Sequence, residues 1–211
     1  CEDNAWLPNI DTIKQQISPK TKAIVIINPN NPTGSVYPEK TIMDIVKIAE
    51  EHQITLFSDE IYADIVYQKT PFKTAASLTK NTLMITFGGL SKNYLLAGFR
   101  CAWMTISGQV AHAKDYINGI EKLLAMRLCA NVPVQHAIPL ALSDNRFNML
   151  NQHPNMLEKR NQVIKRINQI DGLSCDLPAG AFYAFAKFTQ PTLPWENDHE
   201  WVLKFLQEHH I

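Results

Sequence analysis

Three short apolar runs in this chain are each followed at once by side chains able to form imines, carry charge or hold an anion. After Ala23-Ile24-Val25-Ile26-Ile27 comes the amide-rich turn Asn28-Pro29-Asn30-Asn31-Pro32-Thr33-Gly34. After the run at 54–57 come Asp59 and Tyr62, and after the run at 83–87 come Gly88, Gly89 and then Lys92, with Arg100 eight residues further on. An amine at a strand end is a nucleophile for a carbonyl. A carboxylate facing a heteroaromatic nitrogen keeps that nitrogen protonated and turns its ring into an electron sink. A phenol and an amide can both bond a ring hydroxyl, and a guanidinium can clamp a phosphate through two parallel bonds. Taken together, these are the handles of pyridoxal 5′-phosphate, which is held by a lysine imine and a partner for its pyridine nitrogen.

The elements needed to position these groups can be read from the hydropathy pattern. The run at 23–27 has no polar alternation, which predicts a strand buried on both faces, as in a parallel sheet. Pro38 opens a helix with Ile42, Ile45, Val46 and Ala49 at i, i+3, i+4 and i+7. The next strand is expected over 54–57, stopped by Ser58-Asp59-Glu60. Strand, helix and strand within about 35 residues make a βαβ unit. Further strands are expected at 83–87 and 102–106, and helices at 110–126 and 133–142. The polar stretch 143–148 suggests a boundary. It separates residues 1–143, part of a larger α/β domain, from residues 144–211, the first part of a smaller α+β domain. In the second part the pattern predicts a helix near 155–170, a strand at 181–185 and a helix at 198–208. Ligands of open α/β sheets bind beyond the carboxyl ends of the strands, where Asn31, Asp59, Tyr62 and Lys92 fall.

The ordered set of motifs resembles that of the fold-type I pyridoxal-phosphate enzymes, class I and II aminotransferases. The resemblance rests on residues 28–34, on Ser58-Asp59-Glu60-Ile61-Tyr62, on Leu90-Ser91-Lys92 and on Gly98-Phe99-Arg100. Pro178-Ala179-Gly180-Ala181-Phe182-Tyr183 extends it into the second part, and 124–133 resembles the alanine (glutamate–pyruvate) branch. The resemblance implies a large domain with a mostly parallel sheet and helices on both faces. It also implies that Lys92 forms the internal aldimine and shuttles a proton between Cα and the cofactor. Asp59 would salt-bridge the pyridinium nitrogen, Tyr62 and Asn31 would bond the ring oxygen, and Arg100 would bind the phosphate. Many relatives carry a serine three residues before the lysine where this chain has Gly89, and a glycine where it has Ala102.

The implied activity is transfer of an amino group between an amino acid, alanine or glutamate, and a 2-oxo acid. Two alternatives are a carbon–sulfur β-lyase on the same fold and a cofactor-binding regulator without turnover. A family member is about twice this length. The phosphate-cradling turn, the aromatic that stacks on the ring and the arginine for the substrate carboxylate are therefore expected outside these residues. The chain reads as the middle of a homodimeric enzyme and is expected to be inactive alone.

Composition narrows the remaining classes. Twenty basic residues balance twenty acidic ones in 211, with 45% apolar residues. This is a globular composition without the basic excess of a nucleic-acid binder. No apolar run is long enough to span a membrane. Cysteines at 1, 101, 129 and 175 are too far apart for a metal or redox pair. No metal site is expected, and reduced thiols suit the cytoplasm. Lysines aside from Lys92 raise one decoy: Ser77-Leu78-Thr79-Lys80 and Ser143-Asp144-Asn145 imitate penicillin-binding motifs, but no K-T-G accompanies them. His199-Glu200 begins a zinc-helix motif that Leu203 breaks. Glu60 is read as structural, facing away from Asp59.

Overall fold

The computed structural model describes residues 4–67, 72–189 and 197–210, so Cys1 lies outside the described residues. Four strands form one sheet in the order β1 (Ala23–Ile27), β2 (Thr55–Asp59), β3 (Leu83–Gly89) and β4 (Ala102–Gly108). The first three run parallel, in the register Ile24↔Leu56↔Met84, and β4 returns antiparallel to β3. The fold is α/β.

Helix α2 (Glu39–Glu51) follows Pro38 and buries Ile42, Ile45, Val46, Ile48 and Ala49. Ile42, Ile45, Val46 and Ala49 close over Ile26, Leu56 and Met84 of the sheet, with Ile10, Ile13 and Ile17 of the preceding chain packed at the edge. Two of those three belong to α1 (Ile10–Gln16), which the hydropathy reading did not name; the Asn9 side chain caps it by accepting from the Thr12 N–H at 2.9 Å. The other face of β1 behaves differently from the expectation of burial on both sides. Val25 is 66% exposed there. An apolar run marks a face as suited to burial, but it does not state what covers it.

The strand ends also moved. Strand β2 runs on through Ser58 and Asp59, and β3 runs on through both glycines. The cause is pairing: Asp59 still sits in register between Ile27 and Phe87, and Gly89 pairs with Ala102. Gly88 is required because a Cβ there would lie 2.6 Å from the Trp103 indole nitrogen.

Beyond β4, the expected helix at 110–126 begins as a short 3-10 turn, Val110–Ala113, before α3 (Lys114–Met126). The helix at 133–142 is split into α4 (Val132–Gln135) and α5 (Ala137–Ser143). After a 3-10 turn at Asn145–Phe147 come α6 (Met149–Gln152) and α7 (Met156–Ile167), then β5 (Leu173–Cys175) antiparallel to β6 (Ala186–Phe188), and α8 (Asp198–His209). The strand expected at 181–185 is not formed. Ala181 takes a left-handed φ of 54° and its N–H donates to the Ile65 carbonyl at 2.8 Å. That bond turns the segment into the first part of the molecule, and regular pairing starts only at Ala186. Among the described residues no helix is long and apolar enough to cross a membrane.

Candidate functional site

The turn after β1 is organised by two asparagines that the motif reading passed over. Asn28 is buried, and its side-chain oxygen accepts the Tyr37 N–H at 2.8 Å. The Asn30 oxygen accepts from the Thr33 hydroxyl at 2.7 Å, while its amide nitrogen donates to the Ile27 carbonyl at 3.3 Å. These local bonds satisfy the turn internally and leave Asn31 exposed at its tip. Both Asn28-Pro29 and Asn31-Pro32 are cis.

Asp59 is the last residue of β2, and its carboxylate accepts the Ile61 N–H at 3.1 Å. That bond starts the turn which brings Tyr62 back under the sheet end. The Tyr62 ring is buried, and its hydroxyl meets the Asn31 side chain and shares a hydrogen bond with the Tyr183 hydroxyl. The phenol is held far above the ordinary tyrosine range. Burial is the main cause, followed by the bond and charge of Tyr183 and the charge of Asp59, while the Asn31 amide pulls the other way. Glu60 points elsewhere, accepting from the Ser58 hydroxyl at 2.8 Å and the Ala75 N–H at 2.9 Å. The structural reading of Glu60 therefore holds.

Lys92 and Arg100 lie on one connection, residues 90–101, which leaves β3 and returns as β4. It is closed by the Leu90 N–H donating to the Cys101 carbonyl at 3.1 Å. The Lys92 ammonium lies 5.8 Å from the centre of the Phe182 ring. That ring in turn packs edge-on against Tyr62 at 5.5 Å. Arg100 is exposed, sits at a left-handed φ of 52°, and donates to the Ala97 carbonyl at 2.8 Å. The structure thus gathers Asn31, Asp59, Tyr62 and Lys92 around the Tyr62–Phe182 pair, and leaves Arg100 turned toward its own loop.

Phe182 and Tyr183 are the residues that pattern reading could not assign to the site. Their segment is locked to the turn after β1. The Gly34 carbonyl accepts the N–H groups of Ala179 and Gly180, each at 2.9 Å, and Tyr67 donates to Ala179 at 2.9 Å. Gly34 has a φ of 70°, and a Cβ there would lie 2.4 Å from Pro178 Cβ. A Cβ on Gly180 would meet Val36 Cγ2 at 2.6 Å and the Ile65 carbonyl at 2.8 Å. Arg160 adds a bond to the Pro178 carbonyl at 2.9 Å and stacks over Tyr67.

The donor set suits pyridoxal phosphate. Among the described residues no cation pairs with Asp59, and no carboxylate pairs with Lys92 or Arg100. A carboxylate, an amine and a guanidinium are left for a ligand with a basic ring nitrogen, a carbonyl and a phosphate. Gly89 contributes nothing beyond backbone, since a Cβ there would already lie 3.0 Å from Ile61 Cδ1 and from the Cys101 carbonyl. No group of three or more metal-binding side chains occurs among the described residues. A polar cavity of about 460 Å³ lined by Glu50, Gln53, Asn81, Gln109 and His112 lies at the opposite, amino ends of β2 and β3.

Comparison with known proteins gives a consistent picture. The family model described as aminotransferase class I and II matches residues 1–211. The chain is 44% identical over 212 residues to the glutamate-pyruvate aminotransferase AlaA of Escherichia coli, covering all of this chain and 52% of that protein. It is 41% identical over 207 residues to an alanine aminotransferase of Mycobacterium tuberculosis, covering 97% of this chain and 48% of that protein. Among solved structures, an Escherichia coli aminotransferase superposes with a TM-score of 0.93 at 45% identity, over 99% of this chain and 52% of that one. An alanine aminotransferase of Pyrococcus furiosus gives 0.90 at 38% identity, over 98% and 52%. The chain spans about half the length of the relatives it matches.

Proposed function

The chain belongs to the class I and II aminotransferases, and we propose that the longer protein containing it moves an amino group between an amino acid and a 2-oxo acid. The pair alanine and glutamate is the substrate class, supported by the names of the relatives at 41% and 44% identity. Those names favour the transferase over the β-lyase and the regulator.

Pyridoxal phosphate, when bound, supplies a ring that accepts the charge left on a substrate carbon. Lys92 would hold the cofactor through its amine and would be the group that moves a proton to and from the substrate carbon. Asp59 would keep the ring nitrogen protonated. Tyr62 and Asn31 would bond the ring oxygen and stabilise its negative charge, and Arg100, once turned from the Ala97 carbonyl, would bind the phosphate. The single observation that carries this reading is the convergence of Asn31, Asp59, Tyr62 and Lys92 from the carboxyl ends of three adjacent strands.

In this reading residues 1–143 belong to the cofactor-binding domain and residues 144–211 begin the smaller domain. The protein works as a homodimer in the cytoplasm. Exposed Leu124 and Met126 on α3, the latter 81% exposed, support a face that is covered in the whole assembly. Incubating the full-length protein with alanine and 2-oxoglutarate should yield pyruvate. Release of ammonia and pyruvate together from a cystathionine-type substrate, with no pyruvate from alanine and 2-oxoglutarate, would establish the lyase instead.

A further inference from the structure

We propose that Tyr183 is a positioning residue for Tyr62: its hydroxyl occupies one side of the Tyr62 oxygen and leaves the Tyr62 proton free to be donated to the cofactor ring oxygen. This rests on the reading of Tyr62 as a ligand of that oxygen. The two residues are 121 positions apart, and their hydroxyls share a hydrogen bond in which either can be the donor. A phenol has one proton to give and can accept in return. With the Asn31 amide and the Tyr183 hydroxyl both on the Tyr62 oxygen, the Tyr62 proton is the group left for a third partner.

The arrangement is held from several directions. The Ala179 and Gly180 N–H groups fasten the segment to Gly34, on the same turn as Asn31, and the Ala181 N–H fastens it to Ile65, three residues past Tyr62. Phe182 and Tyr183 both pack near-perpendicular to the Tyr62 ring at 5.5 Å, so that ring has little room to turn. An anionic oxygen arriving beyond Tyr62 would fix the direction of the pair. Tyr183 would donate to Tyr62 and Tyr62 to the anion, a chain in which each bond polarises the next. Burial also disfavours loss of the Tyr62 proton, which keeps the phenol a donor at neutral pH.

A cycle of Tyr62→Phe, Tyr183→Phe and the double variant in the full-length protein tests this, because both changes keep the rings. Tyr183→Phe should weaken pyridoxal phosphate binding about two- to fourfold and raise the pH midpoint of the bound cofactor's visible absorbance by about half a unit. In the Tyr62→Phe background the same change should alter neither, because Tyr183 acts through Tyr62. Equal effects in the two backgrounds, or no effect in either, would overturn the proposal. If borohydride traps no cofactor on Lys92 in the unaltered protein, the functional reading fails separately. The cycle then runs on apoprotein urea midpoints, where non-additive shifts uphold the pairing and additive ones overturn it.

Discussion

Replacing Gly34 by alanine should disturb the site without touching any group that meets a ligand. Two effects add. The left-handed φ of 70° suits glycine, and an L-residue there costs about 1–2 kcal/mol. The new Cβ would lie 2.4 Å from Pro178 Cβ, well inside contact distance, and overpacking of this kind costs about 1–3 kcal/mol. Relief requires the 178–183 segment to move away, which stretches the two bonds from Ala179 and Gly180 to the Gly34 carbonyl. The expected loss is about 2–5 kcal/mol, read as a lower urea midpoint at unchanged slope. Gly119 serves as an internal control: it lies inside α3, where an added Cβ meets nothing within 4 Å. Gly119→Ala should gain roughly 0.5–1 kcal/mol from helix propensity. The reasoning would be refuted by a Gly34→Ala protein within about 0.5 kcal/mol of the parent, the usual spread for innocuous surface changes.

Other outcomes follow from the same geometry. Lys92→Ala should remove the borohydride-trappable cofactor adduct, checked by mass spectrometry of the reduced protein; an adduct at the parental level would reject the assignment. Asp59→Ala should weaken cofactor binding roughly tenfold to a hundredfold, the worth of a charged hydrogen bond of about 1.5–3 kcal/mol, and depress turnover further. Turnover within a few-fold of the parent would count against its role. Light scattering on the full-length protein should return the mass of two chains, and a monomer with full transamination would contradict the homodimer.

The local parts of the site were legible because their causes are local. Apolar runs of β-branched residues end in Asn, Asp and Gly, and chain order alone puts Asn31, Asp59 and Lys92 at strand ends. The α2 face was readable at i, i+3, i+4 and i+7, and all four expected residues are buried. Glu60 was set apart from Asp59 by alternation, and its carboxylate does bond Ser58 and Ala75 instead. Boundaries slipped where pairing overrode composition, as when β2 carried on through two polar residues.

What the chain order could not decide is which distant segments meet. An apolar stretch at 181–185 has the composition of a strand, yet a bond from Ala181 to Ile65 bends it into the site and places Phe182 between Lys92 and Tyr62. Nothing near Tyr183 announces a partner 121 residues away. Gly34 reads as a turn residue, but the second reason for it, contact with Pro178, exists only once the two segments are folded together. Hydropathy and turn chemistry act over a few residues, so the sequence by itself determined where β1 to β4 lie and the kinds of group that follow them, while pairing set their ends. Side-chain packing between segments far apart in the chain decided how those groups face one another, and only the tertiary structure contains it.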